Sequence, residues 1–102
     1  MKMRALGLVL LLAGCTTNHF STVVPVAAGE RRDGLTGPMT VKRLNSYAFR
    51  VDIGDKTGYY RCYYQRKTMG RTQCCYPVAN ESTATAIFAA EDPGATCMDF
   101  LD

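Results

Sequence analysis

The sequence predicts a mainly β domain, a small antiparallel meander stapled by disulfides, or an α+β one if its last quarter closes as a single C-terminal helix. Three observations predict it. From Met39 to Val78 apolar and polar residues tend to alternate, the period of a half-buried strand. Gly- and Asp-containing turns break that stretch at short intervals. Four Cys, at 62, 74, 75 and 97, are spread through its second half and the tail. The chain has 102 residues, 47% hydrophobic and 21% charged, which means one domain with the composition of a folding chain.

The elements follow in order. Met1 to Arg4 is basic and Ala5 to Ala13 is a Leu-rich apolar run. The run is too short to span a bilayer, which takes about 20 apolar residues, and suits a signal-peptide core of about 7–15. Residues 1–14 are therefore set apart from the fold. Residues 15–38 read as a tether: Pro25, Pro38, Gly29, Gly34 and Gly37 punctuate it without a visible helical period, and Phe20 with Val23 to Val26 offers at most an edge strand. Residues 39–102 read as the globular domain. Met39 to Leu44 is a strand. Ser46 to Ile53 is a second, with Tyr47, Phe49, Val51 and Ile53 on one face. Gly54 to Gly58 is a turn. Tyr59 to Lys67 is the third strand and Gln73 to Val78 the fourth. Asn80 to Glu91 fits either a strand or a helix capped by Asn80, and the Ala-Ala-Glu end favours the helix, burying Ala84, Ile87 and Phe88. After Asp92-Pro93-Gly94, Cys97 staples a tail whose Met98, Phe100 and Leu101 are available to pack.

Leu12-Ala13-Gly14-Cys15, after that basic start and apolar run, resembles the bacterial lipobox: a branched apolar residue, two small residues and a Cys. The resemblance covers residues 1–15. It implies cleavage by signal peptidase II between Gly14 and Cys15, a diacylglycerol on the Cys15 thiol and a third acyl chain on its amine. One acyl chain holds marginally and three hold stably. Thr16, where an inner-membrane lipoprotein usually carries Asp, implies the outer membrane, on its periplasmic face or at the cell surface. Cutting away Lys2 and Arg4 leaves ten basic against nine acidic side chains. That balance excludes a nucleic-acid binder.

With Cys15 committed to lipid, Cys62, Cys74, Cys75 and Cys97 make two disulfides in an oxidising compartment. Pairing Cys74 with Cys75 would hold two Cα atoms about 3.8 Å apart, below the disulfide range of about 4.4–6.8 Å. Two pairings remain: 62–74 with 75–97, and 62–75 with 74–97. A four-residue loop over Lys67 to Gly70 sets Arg66 opposite Arg71 and Cys62 opposite Cys75, which favours the second. Below about 80 residues a core alone supplies only about 3–5 kcal/mol, and a disulfide adds about 2–4 kcal/mol, so the Cys serve as staples.

The densest functional pattern is Tyr59 to Lys67 (YYRCYYQRK). On a strand Tyr60, Cys62 and Tyr64 share the core side, and Tyr59, Arg61, Tyr63, Gln65 and Lys67 the other. Tyr and Arg are enriched at binding hot spots. Tyr59, Arg61, Tyr63, Arg66, Lys67 and Arg71 therefore form a candidate partner-binding face, against the simpler account that Tyr suits strands and basic tips keep edges from aggregating. No cofactor, metal or small-molecule substrate is expected: metal-ligand Cys spacing is missing, no nucleophile–base set is readable, and the single histidine, His19, reads as a solvated linker residue. The expected function is that of a non-enzymatic binding or inhibitory module, anchored in the outer membrane through Cys15 and directed at an envelope protein. The alternative is a small structural anchor subunit of a trans-envelope assembly such as a secretion or conjugation system.

Overall fold

A computed structural model describes residues 19–30, 34, 36–87 and 92–101. The lipobox, Cys15 and Phe88 lie outside the described residues. Five strands run in sequence order through one antiparallel sheet: β1 (Met39–Arg43), β2 (Ala48–Ile53), β3 (Lys56–Arg66), β4 (Arg71–Val78) and β5 (Thr96–Phe100). Helix α1 (Phe20–Glu30) precedes the sheet and a short helix α2 (Glu81–Thr85) joins β4 to β5. The fold is the predicted disulfide-stapled antiparallel meander.

The turns set the register. Gly54-Asp55 alone links β2 to β3, with Ile53 opposite Lys56. This turn is shorter than the Gly54–Gly58 expected, so Lys56, Thr57 and Gly58 join the strand. Gly54 has a φ of +60°, a conformation that only Gly adopts without cost. The loop from Lys67 to Gly70 closes on the Lys67 amide, which donates to the Gly70 carbonyl at 3.1 Å. It sets Arg66 opposite Arg71 and Cys62 opposite Cys75, as the loop length required. Pro77 lies past the last β4–β5 pair, where the ladder on that side has ended.

The larger differences lie outside the first four strands. Residues 20–30 are neither tether nor edge strand. They are α1, whose Phe20, Val23, Val24, Ala27 and Ala28 are buried. That spacing, i, i+3, i+4, i+7 and i+8, is one helical stripe. It packs on Phe49, Val51, Ile53, Tyr60, Cys62 and Cys75 from one sheet face, with Phe20 edge-on to Phe49. Three Val and Pro25 disfavour a helix locally; burying the stripe overrides that preference. The folded domain thus begins by residue 19, not 39. His19 is no solvated linker residue: its ring stacks on Phe100 at 4.1 Å, and its amide donates to Gln73 Oε1 at 2.8 Å.

Residues 80–91 start as the expected helix. Asn80 Oδ1 accepts from the Thr83 amide at 2.9 Å, a side-chain cap on an otherwise orphaned donor. The helix stops at Thr85, however, and of the side chains expected inside, Ala84 is buried while Ile87 is 83% exposed. The tail supplies β5, with Met98 and Phe100 against the core; Leu101 stays 77% exposed rather than packing.

Candidate functional site

β2 pairs with β3 only as far as Ala48 opposite Arg61. Beyond Arg61, β3, β4 and β5 continue as a three-stranded tongue ending at the Lys67–Gly70 loop. Two disulfides clamp its base. Cys62–Cys75 links β3 to β4, and Cys74–Cys97 links β4 to β5. Cys74 and Cys75 are adjacent in a strand, so the two bridges lie on opposite faces of the sheet.

The six residues of the predicted binding face do not form one surface. Arg61 is buried, 4% exposed. Its Nη1 donates to the carbonyls of Ala84 (2.7 Å) and Ala86, and its Nη2 to that of Ile87 (3.4 Å). Its guanidinium lies 4.2 Å from the centre of the Tyr47 ring. It is a structural cation that holds the chain after α2 to the sheet, and it takes the carbonyls that a longer helix would use. Tyr63 is half-buried; its hydroxyl donates to the Asp92 carbonyl at 3.3 Å and its ring meets Tyr76 at 6.1 Å. Burial pushes the Tyr76 phenol above its usual pKa, with Arg61 opposing and Asp92 adding to the shift. The segment over Arg61 therefore divides the predicted strip in two.

On one side of that segment, the sheet face is open. Lys42, Arg50 and Tyr59 stand in one row across β1, β2 and β3. Lys42 is exposed, and Arg50 and Tyr59 are half-exposed. Arg50 Nε meets Asp52 at 3.2 Å. Thr57 Oγ1 donates to Asp52 Oδ1 at 2.5 Å. These contacts, Thr57 foremost, hold the Asp52 carboxyl below its ordinary pKa. The row thus sets a Tyr beside two cations, with one ionised carboxylate orienting Arg50. Arg50 was not among the predicted site residues, because a turn expected over Gly54–Gly58 hid its pairing with Tyr59.

On the other side lies the tongue tip. Arg66 and Lys67 are exposed. Lys67 Nζ meets Asp99 Oδ1 at 2.9 Å, and Thr72 Oγ1 donates to the same oxygen at 2.6 Å. Together they lower the Asp99 pKa, the Thr72 bond most. Arg71 stacks 5.1 Å from the ring centre of Tyr64. Tyr64 is 52% exposed and Met69 75%. Leu101 joins them because Gly70 packs against the backbone of Phe100 and Leu101. Tyr64, Met69 and Leu101 were not among the predicted site residues; nothing in a lone strand pattern signals that a loop and a tail converge.

One shallow cleft of about 120 Å³ lies beside α1, lined by Ala28, Val51, Ile53, Lys56, Thr57, Gly58 and Tyr60. It suits a partner's side chain better than a whole substrate, whose pockets run to about 300–1,000 Å³. No group of side chains able to hold a metal ion occurs among the described residues. No protein family, curated protein or solved structure matches the chain.

Proposed function

We propose that the chain is an outer-membrane lipoprotein, held through acylated Cys15, whose periplasmic domain is a non-enzymatic module that binds or inhibits an envelope protein. The observation that carries the reading is the Lys42–Arg50–Tyr59 row. It sets Arg and Tyr, two side-chain types that dominate binding energy, beside Lys42 on an open sheet face made rigid by strand pairing. Two disulfides fit an exported chain, and the lipobox supplies the address.

Two measurements test this. The intact mass of the purified protein should show residues 1–14 removed and acyl chains added; an unprocessed, unacylated chain ends the anchor reading. Crosslinking and pull-down of the full-length protein should capture one envelope protein. The Arg50→Ser/Tyr59→Ser variant, with unchanged circular dichroism, should lose that capture at least tenfold. Undiminished capture by this variant removes the face from consideration. A variant that also replaces Arg61 does not serve, because it removes a buried structural group.

A second reading, a structural anchor subunit of a trans-envelope assembly, draws on β1. This edge strand has a neighbour on one side only, and four of its five residues are exposed. Such an edge can accept a strand from another subunit. Co-purification of several machine subunits in the same pull-down selects this reading.

A further inference from the structure

The first described residue, His19, lies at the end of the sheet that carries the tongue tip. His19 is fixed there by its stack on Phe100 and its bond to Gln73. Phe100 stands directly opposite Arg71, and the backbone of Phe100 and Leu101 packs on Gly70 of the loop. His19 lies four positions after Cys15 in the chain. At about 3.3–3.6 Å per residue those positions span no more than about 14 Å. Had residues 15–38 been a free tether, the domain could take any orientation above the bilayer. Helix α1 begins at Phe20 instead, so the stretch between Cys15 and the fold is short.

We propose that the tongue tip rests on the membrane surface, held by the phosphates of anionic lipid headgroups, and that tip and anchor together form a two-point attachment. The proposal rests on the reading that Cys15 is acylated. The side chains at the tip have the chemistry of a bilayer interface. Arg66 and Arg71 are cations near the loop, and Lys67 shares Asp99 with Thr72. Tyr64, Met69 and Leu101 stand out beside them. Basic residues near a membrane are drawn to its negative surface, while Tyr and exposed apolar side chains settle at headgroup level. The disulfides at the base keep the tongue from folding back. Tyr59 lies seven residues from Arg66 along β3, so the Lys42–Arg50–Tyr59 row is set about 23 Å further along the strand, at about 3.3 Å per residue. Resting on its tip, the domain presents that row to the periplasm.

The chain has no Trp, so Met69→Trp in the full-length acylated protein creates a unique fluorophore, and Lys42→Trp gives a control. In vesicles of phosphatidylethanolamine with phosphatidylglycerol, the Met69→Trp emission should shift to the blue. It should be quenched severalfold by lipids brominated on their acyl chains, while Lys42→Trp is not. Phosphatidylcholine vesicles, or Arg66→Ser/Arg71→Ser added to Met69→Trp, should cut the quenching severalfold. Leu101→Trp is a second reporter should Met69→Trp aggregate. If the protein floats with vesicles but both reporters stay solvent-exposed and unquenched, the tip proposal is overturned while the anchor stands. If the emission moves only when an envelope protein extract is added, the tip contacts protein and the proposal is equally overturned. If the intact mass shows no acylation, anchor and tip proposals fall together.

Discussion

Removing the Arg61 guanidinium strips hydrogen bonds from three carbonyls and empties the space over Tyr47. Hydrogen bonds to a charged group are worth about 1.5–3 kcal/mol each before relaxation. Arg61→Ala should therefore lower stability by about 2–3 kcal/mol in a guanidinium melt. Arg61→Lys should recover less than half of that loss, because a compact ammonium cannot span the carbonyls and stack on a ring together. Nothing in the strand pattern distinguishes Arg61 from a solvent-facing Arg, since alternation gives the side of the sheet but not what covers it. Asp99 acts in the opposite direction, on the surface. Its folded pKa lies below the ordinary 3.8, so its contribution is present above that value and is lost as the pH falls through the lowered one. Acid should thus weaken the link between β5 and the tongue loop. An acid titration of thermal stability checks this: the wild type should lose stability from near pH 4 downward, and Asp99→Asn should flatten that limb.

Gly70 and the two disulfides decide the tongue at the scale of elements. Gly70 has a φ of +82°, and an added Cβ would meet the Phe100 carbonyl oxygen. Gly70→Ala should cost at least about 1 kcal/mol, seen as a lower melting temperature. Closing loops of 13 and 23 residues, the bridges contribute about 3 kcal/mol each in the chain-entropy account. Cys74→Ser/Cys97→Ser should release β5 first, and amide hydrogen exchange over residues 96–100 should rise above that of β3. The bridges were legible as one of two pairings, because a four-residue loop fixes which residues face each other. β5 was not: an alternation of five residues is too short to stand out, and its place beside β4, with Cys97 opposite Cys74, is set across the sheet. Nor was α1, since Pro25 and the valines argue locally for an extended chain and only the sheet beneath rewards the helix.

For the whole molecule the consequence of α1 is a different domain boundary. Five of its side chains lie in the central hydrophobic cluster with Phe49, Val51, Ile53 and Tyr60. A chain beginning at Met39 would leave that sheet face in water. It should lack near-ultraviolet circular dichroism and bind a hydrophobic dye, whereas a chain keeping residues 15–102 should melt cooperatively. Reduction of the complete domain should unfold it, because so small a core is marginal without covalent staples. A circular dichroism melt unchanged by reductant overturns that expectation.

Legible along the chain were the meander from Met39 to Val78, a loop register that favours Cys62 opposite Cys75 over the other pairing, and Asn80 as the cap of a favoured helix. These rest on near neighbours along the chain: alternation, turn length and side-chain caps act over a few residues. Long-range contacts set the rest: Phe20–Glu30 is a helix, Arg61 is covered, Lys42, Arg50 and Tyr59 align, and His19 meets Phe100 beside the tongue tip. Each of those joins segments distant in sequence, and burial, which one segment's pattern does not encode, outweighs local preference there.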